Sequence, residues 1–516
     1  MDSIKEGGVV IIDFGSQYTK LIARRVRENS VFSEIVSPDK AMDVIMKNFP
    51  AAVILSGGPR SVNDSETLGI DKKLFELNIP ILGICYGLQL LIKNSGGEIN
   101  SGGNGEYGSA TINIKNSETL FKGLNTTSIV WMSHGDQAME VPNGWELLAD
   151  SSNGIIAAIA NEDQTRYATQ FHPEVNHTQE GNLIISNFLF KIAKCSPNWT
   201  PENFIKDKIR SIRELVKEDR VLVGVSGGVD SSVVAALLNK AIGNRMCAVL
   251  IDHGLMRKNE AMECKKFLND GLGIDINLYD ESEIFFSKLR EIVNPEQKRK
   301  IIGNQFIESF DRISKEQNHI KFLAQGTLYP DVIESGLSNS KTAHVIKSHH
   351  NVGGLPEDMK FDLIEPLREL FKDEVRSIGR ELGLNKLLVD RHPFPGPGLG
   401  VRIIGEITLE RVKILQNADN IYIDILHEDE LYAEIWQAFA VLIPVKTVGV
   451  MGDQRTYENL IALRAVTSKD GMTADWFRMP NDTLQKISNR IVNNVKGVNR
   501  VVYDITSKPP GTIEWE

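Results

Sequence analysis

The sequence predicts an α/β protein: two doubly wound, mainly parallel-sheet domains followed by a smaller α+β domain. Three observations carry this expectation. At 516 residues the chain exceeds what one hydrophobic core covers. Two separate series of short β-branched runs alternate with helical stretches, the pattern of βαβ units. Beyond Gly400 the texture changes to fewer and longer elements.

In order, "VVIID", "AAVILSG" and "IPILGIC" read as strands of a first series running from Val9 to about Phe190. The turn-rich stretch "CSPNWTPENF" interrupts it, a helix is expected over residues 205–217, and the first boundary falls between Ser196 and Pro201. The second series takes in "RVLVGV", "MCAVLID", "INLYD" and "IKFLAQG". It ends at "RHPFPGPGLG", whose prolines and glycines extend neither helix nor strand. The expected domains are therefore residues 1–198, 199–393 and 394–516. In the last of them "VRIIGEI", "KTVGVMG", "ENLIALRAV" and "NRVVYDI" read as strands.

Hydrophobic residues make up 41% and charged residues 24%, values of an ordinary globular protein. A formal charge of -10 argues against a general polyanion binder, so no nucleic acid partner is expected. The first residues lack a basic segment followed by an apolar one, and no apolar run approaches the length of a membrane span; a cytoplasmic protein without a membrane partner is expected. Cys85, Cys195, Cys247 and Cys264 are too scattered for a disulfide framework and form no C-x-x-C pair, which leaves them as free thiols.

One thiol stands out. Gly83-Ile84-Cys85-Tyr86-Gly87 lies between a strand and a helix and has the form of a nucleophile elbow. The glycines permit a sharp turn, the sulfur projects at the carboxyl edge of the sheet, and the following backbone N–H groups face a developing oxyanion. A helix N-terminus also favours thiolate over thiol. Further on, "YATQFHPEVNHT" delivers His172 and, two residues later, Glu174. A thiol nucleophile needs an imidazole base and the base an orienting carboxylate, and alternation along an extended segment would put both on one face. Gly57 and Gly58 in "ILSGGPRSV" end another strand, where close backbone approach can complete an oxyanion hole.

Together with "MSHGD", these motifs resemble the class I (triad) glutamine amidotransferases. The resemblance implies that Cys85 forms a glutamyl thioester, with His172 as base and Glu174 orienting it. Gly58 and Tyr86 would then supply oxyanion N–H groups, and Gln89 with Ser133, His134 and Asp136 would hold glutamine.

The second series opens on "VLVGVSGGVDSSVVAALLNKA", a strand, a glycine turn and an apolar helix. N–H groups at such a helix start bind phosphate, helped here by the hydroxyls of Ser226, Ser231 and Ser232. No G-x-x-x-x-G-K-[ST] is present, which argues against kinase-like γ-phosphoryl transfer. S-G-G-x-D-S instead resembles the PP-loop of N-type ATP pyrophosphatases. That resemblance implies that Ser226, Gly227, Gly228, Val229, Asp230, Ser231 and Ser232 grip the β,γ-pyrophosphate of ATP while an acceptor attacks the α-phosphorus. Asp230 beside phosphates suits a bridging Mg²⁺. The later strand ends "LIDHG" and "LAQGTLYPDVIES" nominate Asp252 and Gly326 on the nucleotide side and Asp331 on the metal side.

The segments "RHPFPGPGLGVRIIGEIT", "WQAFAVLIPVKTVGVMGDQRTYENLIALRAV" and "DITSKPPGTIEWE" are similar to a family of glutamine-hydrolysing ligases that aminate xanthosine 5′-monophosphate (XMP) to GMP. The likeness runs along essentially the whole chain. It implies XMP contacts from Arg299, Gln437, Arg500, Lys508, Ile513 and Glu514. It also implies a lid carrying Lys347, His349 and Lys372, and a third domain that builds a homodimer. Two alternatives stay open: a regulatory nucleotide-binding protein that keeps the fold without the chemistry, and a PP-loop amidotransferase acting on another acceptor. Intact motifs speak against the first, and the C-terminal signature speaks against the second.

Overall fold

Short, fully apolar segments become the central strands. β1 (Val9–Ile12), β3 (Ala52–Leu55) and β4 (Ile81–Ile84) are buried at every position, as expected of parallel strands covered on both faces. The computed structural model describes residues 5–64, 68–100, 105–317, 320–332, 361–451, 453–468 and 473–516, and the chain divides into two compact units, Met1–Asp207 and Lys208–Glu516.

The first unit also contains β2 (Ser33–Val36), β5 (Ile99–Asn100), β6 (Glu106–Ile114), β7 (Thr127–His134), β8 (Gln137–Ala138), β9 (Trp145–Ser151), β10 (Ile156–Asn161) and β11 (Arg166–Thr169). Among the described residues one nine-stranded sheet has the order β2-β1-β3-β4-β11-β10-β9-β6-β7, while β5 and β8 form a separate ribbon. Only the half from β2 to β11 is parallel, and the rest is antiparallel. The expected mainly parallel sheet is corrected here to a mixed one. The reason is local: the pairing strands β6 and β7, β9 and β10, and β10 and β11 follow one another with no helix between them, so each returns beside its predecessor. Alternating buried and exposed positions along β7 are the signature of that arrangement.

The second unit begins with a parallel sheet of order β14-β13-β12-β15-β16, made of β12 (Arg220–Gly224), β13 (Met246–Asp252), β14 (Ile276–Asp280), β15 (Ile320–Ala324) and β16 (Asp362–Ile364). From β12 the chain builds outward through β13 and β14, then returns to β12's other side as β15. A topological switch point therefore lies between β12 and β15, where open α/β sheets bind ligands. The helix expected over residues 205–217 forms as Pro201–Val216.

A mixed sheet closes the chain, with β18 (Gln454–Thr467) between β17 (Gln437–Met451) and β19 (Asp475–Trp476), and β20 (Val498–Tyr503) parallel to β18. The strand expected at "VRIIGEI" does not form. Gly398–Val401 is a 3₁₀ turn and only Ile403 bridges to Leu442. Arg402 directs its guanidinium inward instead, and Gly405 with φ 78° turns the chain away. One hydrophobic core runs from Leu222 and Val249 through Leu399 to Ile461 and Ile491, so the segment "RHPFPGPGLG" is packed within this unit.

Candidate functional site

Register brings the thiol and the imidazole together. β4 and β11 are parallel neighbours with Ile84 opposite Thr169, so the chain leaves both strands side by side. Cys85 N–H then donates to Thr169 O at 2.7 Å. Cys85 has φ 52° and ψ -100°, a conformation an L-residue adopts only under strain, and Tyr86 follows as the first residue of the helix Tyr86–Asn94.

The glycines of the motif serve a different purpose from the one expected. Neither Gly83 nor Gly87 has a positive φ. A Cβ on Gly83 would lie 2.6 Å from the backbone of Gly87, and one on Gly87 would lie 2.5 Å from Leu55 O. They allow the helix to sit against the strands, while the strain falls on the nucleophile itself.

His172 Nδ1 and Glu174 Oε1 are 2.7 Å apart, with both side chains buried. They do not lie on an extended segment. β11 ends at Thr169 and the chain turns through His172-Pro173-Glu174, so the pair meets across that turn. Burial alone would depress the imidazole pKa, but the Glu174 carboxylate and Cys85 more than reverse this and hold it well above the usual histidine value. His172 N–H donates to Trp131 O at 3.0 Å, and the Tyr18 ring meets the imidazole edge-on at 5.0 Å between centroids. Arg25 Nε donates to Glu174 O at 2.9 Å.

Around the sulfur, Ser133 O lies 3.7 Å from Cys85 Sγ, and Gln89 Nε2 donates to Asp136 O at 3.2 Å. His134 Nδ1 is 2.9 Å from that same carbonyl, and burial holds the His134 pKa below its ordinary value. Gly58 is placed so that a Cβ would touch Phe14 O at 3.0 Å and the Tyr86 ring at 3.2 Å, so only glycine brings that backbone so near the corner. Sequence reasoning missed Gln170, whose Nε2 is 3.7 Å from Cys85 Sγ, and Ser61, whose hydroxyl donates to Asp136 Oδ2. Gln170 follows Thr169, which the β4–β11 register sets opposite Ile84, and no short motif carries that register.

At the other corner Gly227 takes the positive φ, 77°, and Gly228 caps the helix Val229–Ile242. Hydroxyls tie this turn internally. Ser231 Oγ accepts from Ser226 N–H at 3.1 Å, and Ser232 Oγ donates to Gly228 O at 2.9 Å. Gly326, beyond β15, comes so close that its Cβ would lie 3.3 Å from Asp230 Cβ. Asp230 Oδ2 pairs with Lys372 Nζ at 2.5 Å, whereas Oδ1 is buried without a hydrogen-bond partner among the described residues. A carboxylate oxygen left without a partner is of the type that Mg²⁺ takes as a ligand. Asp252 ends β13, and burial, then the carboxylates of Asp280 and Glu260, raise its pKa. Asp331 Oδ2 accepts from Leu328 N–H at 3.1 Å. Among the described residues no three acids, histidines or cysteines cluster as a metal site.

Of the residues expected to contact XMP, Gln437 Nε2 donates to Glu514 Oε1 at 2.9 Å, and Arg402 grips the same carboxylate with two nitrogens at 2.8 and 3.1 Å. Arg299 donates to Glu516 O, and Ile513 is buried in a small apolar cluster with Phe439 and Val441. Lys508 pairs its backbone with Ala474 at the start of this segment. Arg500 points elsewhere, donating to Val448 O at 3.3 Å. Lys347 and His349 lie outside the described residues.

Residues 10–192 match the class-I glutamine amidotransferase family, residues 200–305 the NAD synthase family, and residues 424–515 the GMP synthase C terminal domain. A glutamine-hydrolyzing GMP synthase of Brachyspira hyodysenteriae is 54% identical over 98% of this chain and 99% of its own length. One of Thermosipho africanus is 53% identical over 98% and 99%.

Proposed function

The chain belongs to the glutamine-hydrolysing GMP synthase family, and we propose that its two strand-to-helix corners divide the reaction between them. The enzyme is a carbon–nitrogen ligase that forms GMP from XMP with glutamine as amide donor and ATP as the activating nucleotide.

At the first corner Cys85 Sγ attacks the side-chain carbonyl of glutamine. His172 moves the proton to the departing ammonia, and Gly58 and Tyr86 N–H groups receive the oxyanion. Water then releases glutamate from the thioester. Glu174 keeps the imidazole oriented, while Gln89, Ser133, His134 and Asp136 hold glutamine. At the second corner Ser226–Ser232 hold the β,γ-pyrophosphate, with Asp252 and Gly326 on the nucleotide. The 2-oxygen of XMP attacks the α-phosphorus, pyrophosphate leaves, and ammonia displaces AMP to give GMP.

Asp230 and Asp331 would hold Mg²⁺, which supplies charge neutralisation to the phosphates when bound. Arg299, Gln437, Lys508, Ile513 and Glu514 form the acceptor site, which Arg500, directed to Val448 O, does not join within the chain, and Lys347, His349 and Lys372 belong to a lid. Residues 1–198, 199–393 and 394–516 serve as glutaminase, ATP pyrophosphatase and acceptor modules.

A homodimer through the last module is supported by the β17–β18 hairpin, where Val448, Val450 and Tyr457 are 52%, 72% and 56% exposed. Among the described residues no helix is long and apolar enough to cross a membrane.

The observation that carries this reading is the buried His172–Glu174 pair beside Cys85 in the same chain as the S-G-G-V-D-S-S loop. Incubation with Mg²⁺, ATP, XMP and glutamine is expected to yield GMP, AMP, pyrophosphate and glutamate in equal amounts. Formation of ADP and orthophosphate would overturn it.

A further inference from the structure

Gly227 is the weak point of the phosphate loop. A glycine populates positive and negative φ about equally, and Gly228 follows it, so this stretch has several accessible peptide orientations. A bed of N–H groups binds phosphate only when its peptides stay aligned.

The guanidinium of Arg391, the first residue of "RHPFPGPGLG", sits on this peptide. Arg391 Nη1 donates to Gly227 O at 3.1 Å. In a trans peptide the carbonyl and the next N–H point in opposite directions, so fixing Gly227 O also aims Gly228 N–H, whose contact within the loop is a long one, to Ser226 Oγ at 3.4 Å. Arg391 is itself fixed. Its Nη2 pairs with Glu260, whose side chain is 4% exposed, and Glu260 Oε2 accepts from Arg257 N–H at 2.7 Å. A Cβ on Gly227 would meet Arg391 Nη1 and Glu260 Oε1, each at 3.3 Å, so both groups lie directly against the loop. The Phe394 ring supports the guanidinium from 5.8 Å. A planar fork that reaches a carbonyl with one prong and a carboxylate with the other is a task lysine performs poorly.

We propose that Arg391, held by Glu260, is a positioning residue that locks the Gly227–Gly228 peptide in its phosphate-binding orientation. This rests on reading Ser226–Ser232 as the bed for ATP's phosphates. Loss of the lock weakens ground state and transition state alike, which raises KM for ATP while kcat holds.

The test measures ammonium-dependent GMP synthesis by the full-length protein, varying ATP, for Arg391→Met, Arg391→Lys, Glu260→Gln and Asp230→Asn, with melting temperatures recorded for each. Arg391→Met is expected to lower kcat/KM for ATP about 100-fold through KM, the scale expected when a binding group shifts by about 1 Å. KM for ammonium should stay at its wild-type value; the melting temperature should fall, because Glu260 loses its buried partner, so the kinetics are read well below it. Arg391→Lys should recover part of the loss, and Glu260→Gln should raise KM for ATP by about tenfold, a smaller displacement of the same group. An unchanged KM for ATP in Arg391→Met overturns the proposal. So does a raised KM in Arg391→Met with none in Glu260→Gln, because the guanidinium would then be acting on ATP directly. If Asp230→Asn synthesises normally, it is the reading of the loop that has failed.

Discussion

Two corners of similar outline, each a buried strand running through a glycine-flanked turn into an apolar helix, solve opposite problems. At the first, Cys85 carries the unfavourable φ of 52° and the glycines merely let helix and strand touch. At the second, Gly227 carries the positive φ of 77° and serine hydroxyls bind the turn to itself. The first aims one atom. The second, in the reading proposed above, is a turn for a polyanion, with its Ser226 and Gly228 N–H groups resting on the loop's own hydroxyls. Where glycine sits relative to the strained residue thus separates a nucleophile's corner from a phosphate's, although the two sequences read alike.

The sharpest way to break this comparison is to add a methyl group at each corner. Gly87→Ala puts a Cβ within 2.5 Å of Leu55 O, where neither backbone can yield. We expect loss of glutaminase activity and destabilisation of about 3 kcal/mol by denaturant titration, as for an overpacked core. Gly227→Ala meets only side-chain ends at 3.3 Å, so its cost is the backbone conformation, about 1–2 kcal/mol. Equal effects at the two positions would erase the distinction.

A smaller effect on stability, but a large one on rate, is expected at Glu174. Glu174→Gln should lower glutamine hydrolysis by about 10³ to 10⁴-fold while sparing ammonium-dependent synthesis. It should also change the dependence of stability on pH. The folded-state pKa of His172 is raised above 6.5, so its contribution to stability is complete below 6.5 and disappears as pH rises through the folded value. The difference in unfolding free energy between wild type and Glu174→Gln should therefore be largest near pH 6 and narrow in alkali. A difference that grows with pH would mean that the imidazole is not stabilised as its cation.

Much of both corners was legible from sequence, because each is a local pattern: an apolar run, a glycine turn and a helix with the reactive group at its start. The antiparallel half of the first sheet was not. In β6 polar residues alternate with apolar ones, and the partners are chosen by pairing rather than by composition. "VRIIGEI" misled for the converse reason. Its isoleucines are apolar because Ile403 enters the core of the second unit, not because the backbone pairs along a ladder. Gln170 was overlooked because its place beside Cys85 depends on the register between β4 and β11, which no short motif encodes. Arg391 was hidden in a segment whose prolines and glycines mark it as irregular, though an irregular chain can still deliver one well-supported side chain.

The central claim is that nitrogen is released at Cys85 and consumed at the Asp230 loop, and a crossed measurement tests it most directly. GMP formation is followed for Cys85→Ala and Asp230→Asn, each with glutamine and each with high ammonium. The account predicts that Cys85→Ala loses glutamine-dependent synthesis by at least about 10⁴-fold and keeps ammonium-dependent synthesis, whereas Asp230→Asn loses both together. Loss of both activities in Cys85→Ala, or normal ammonium-dependent synthesis in Asp230→Asn, would contradict it.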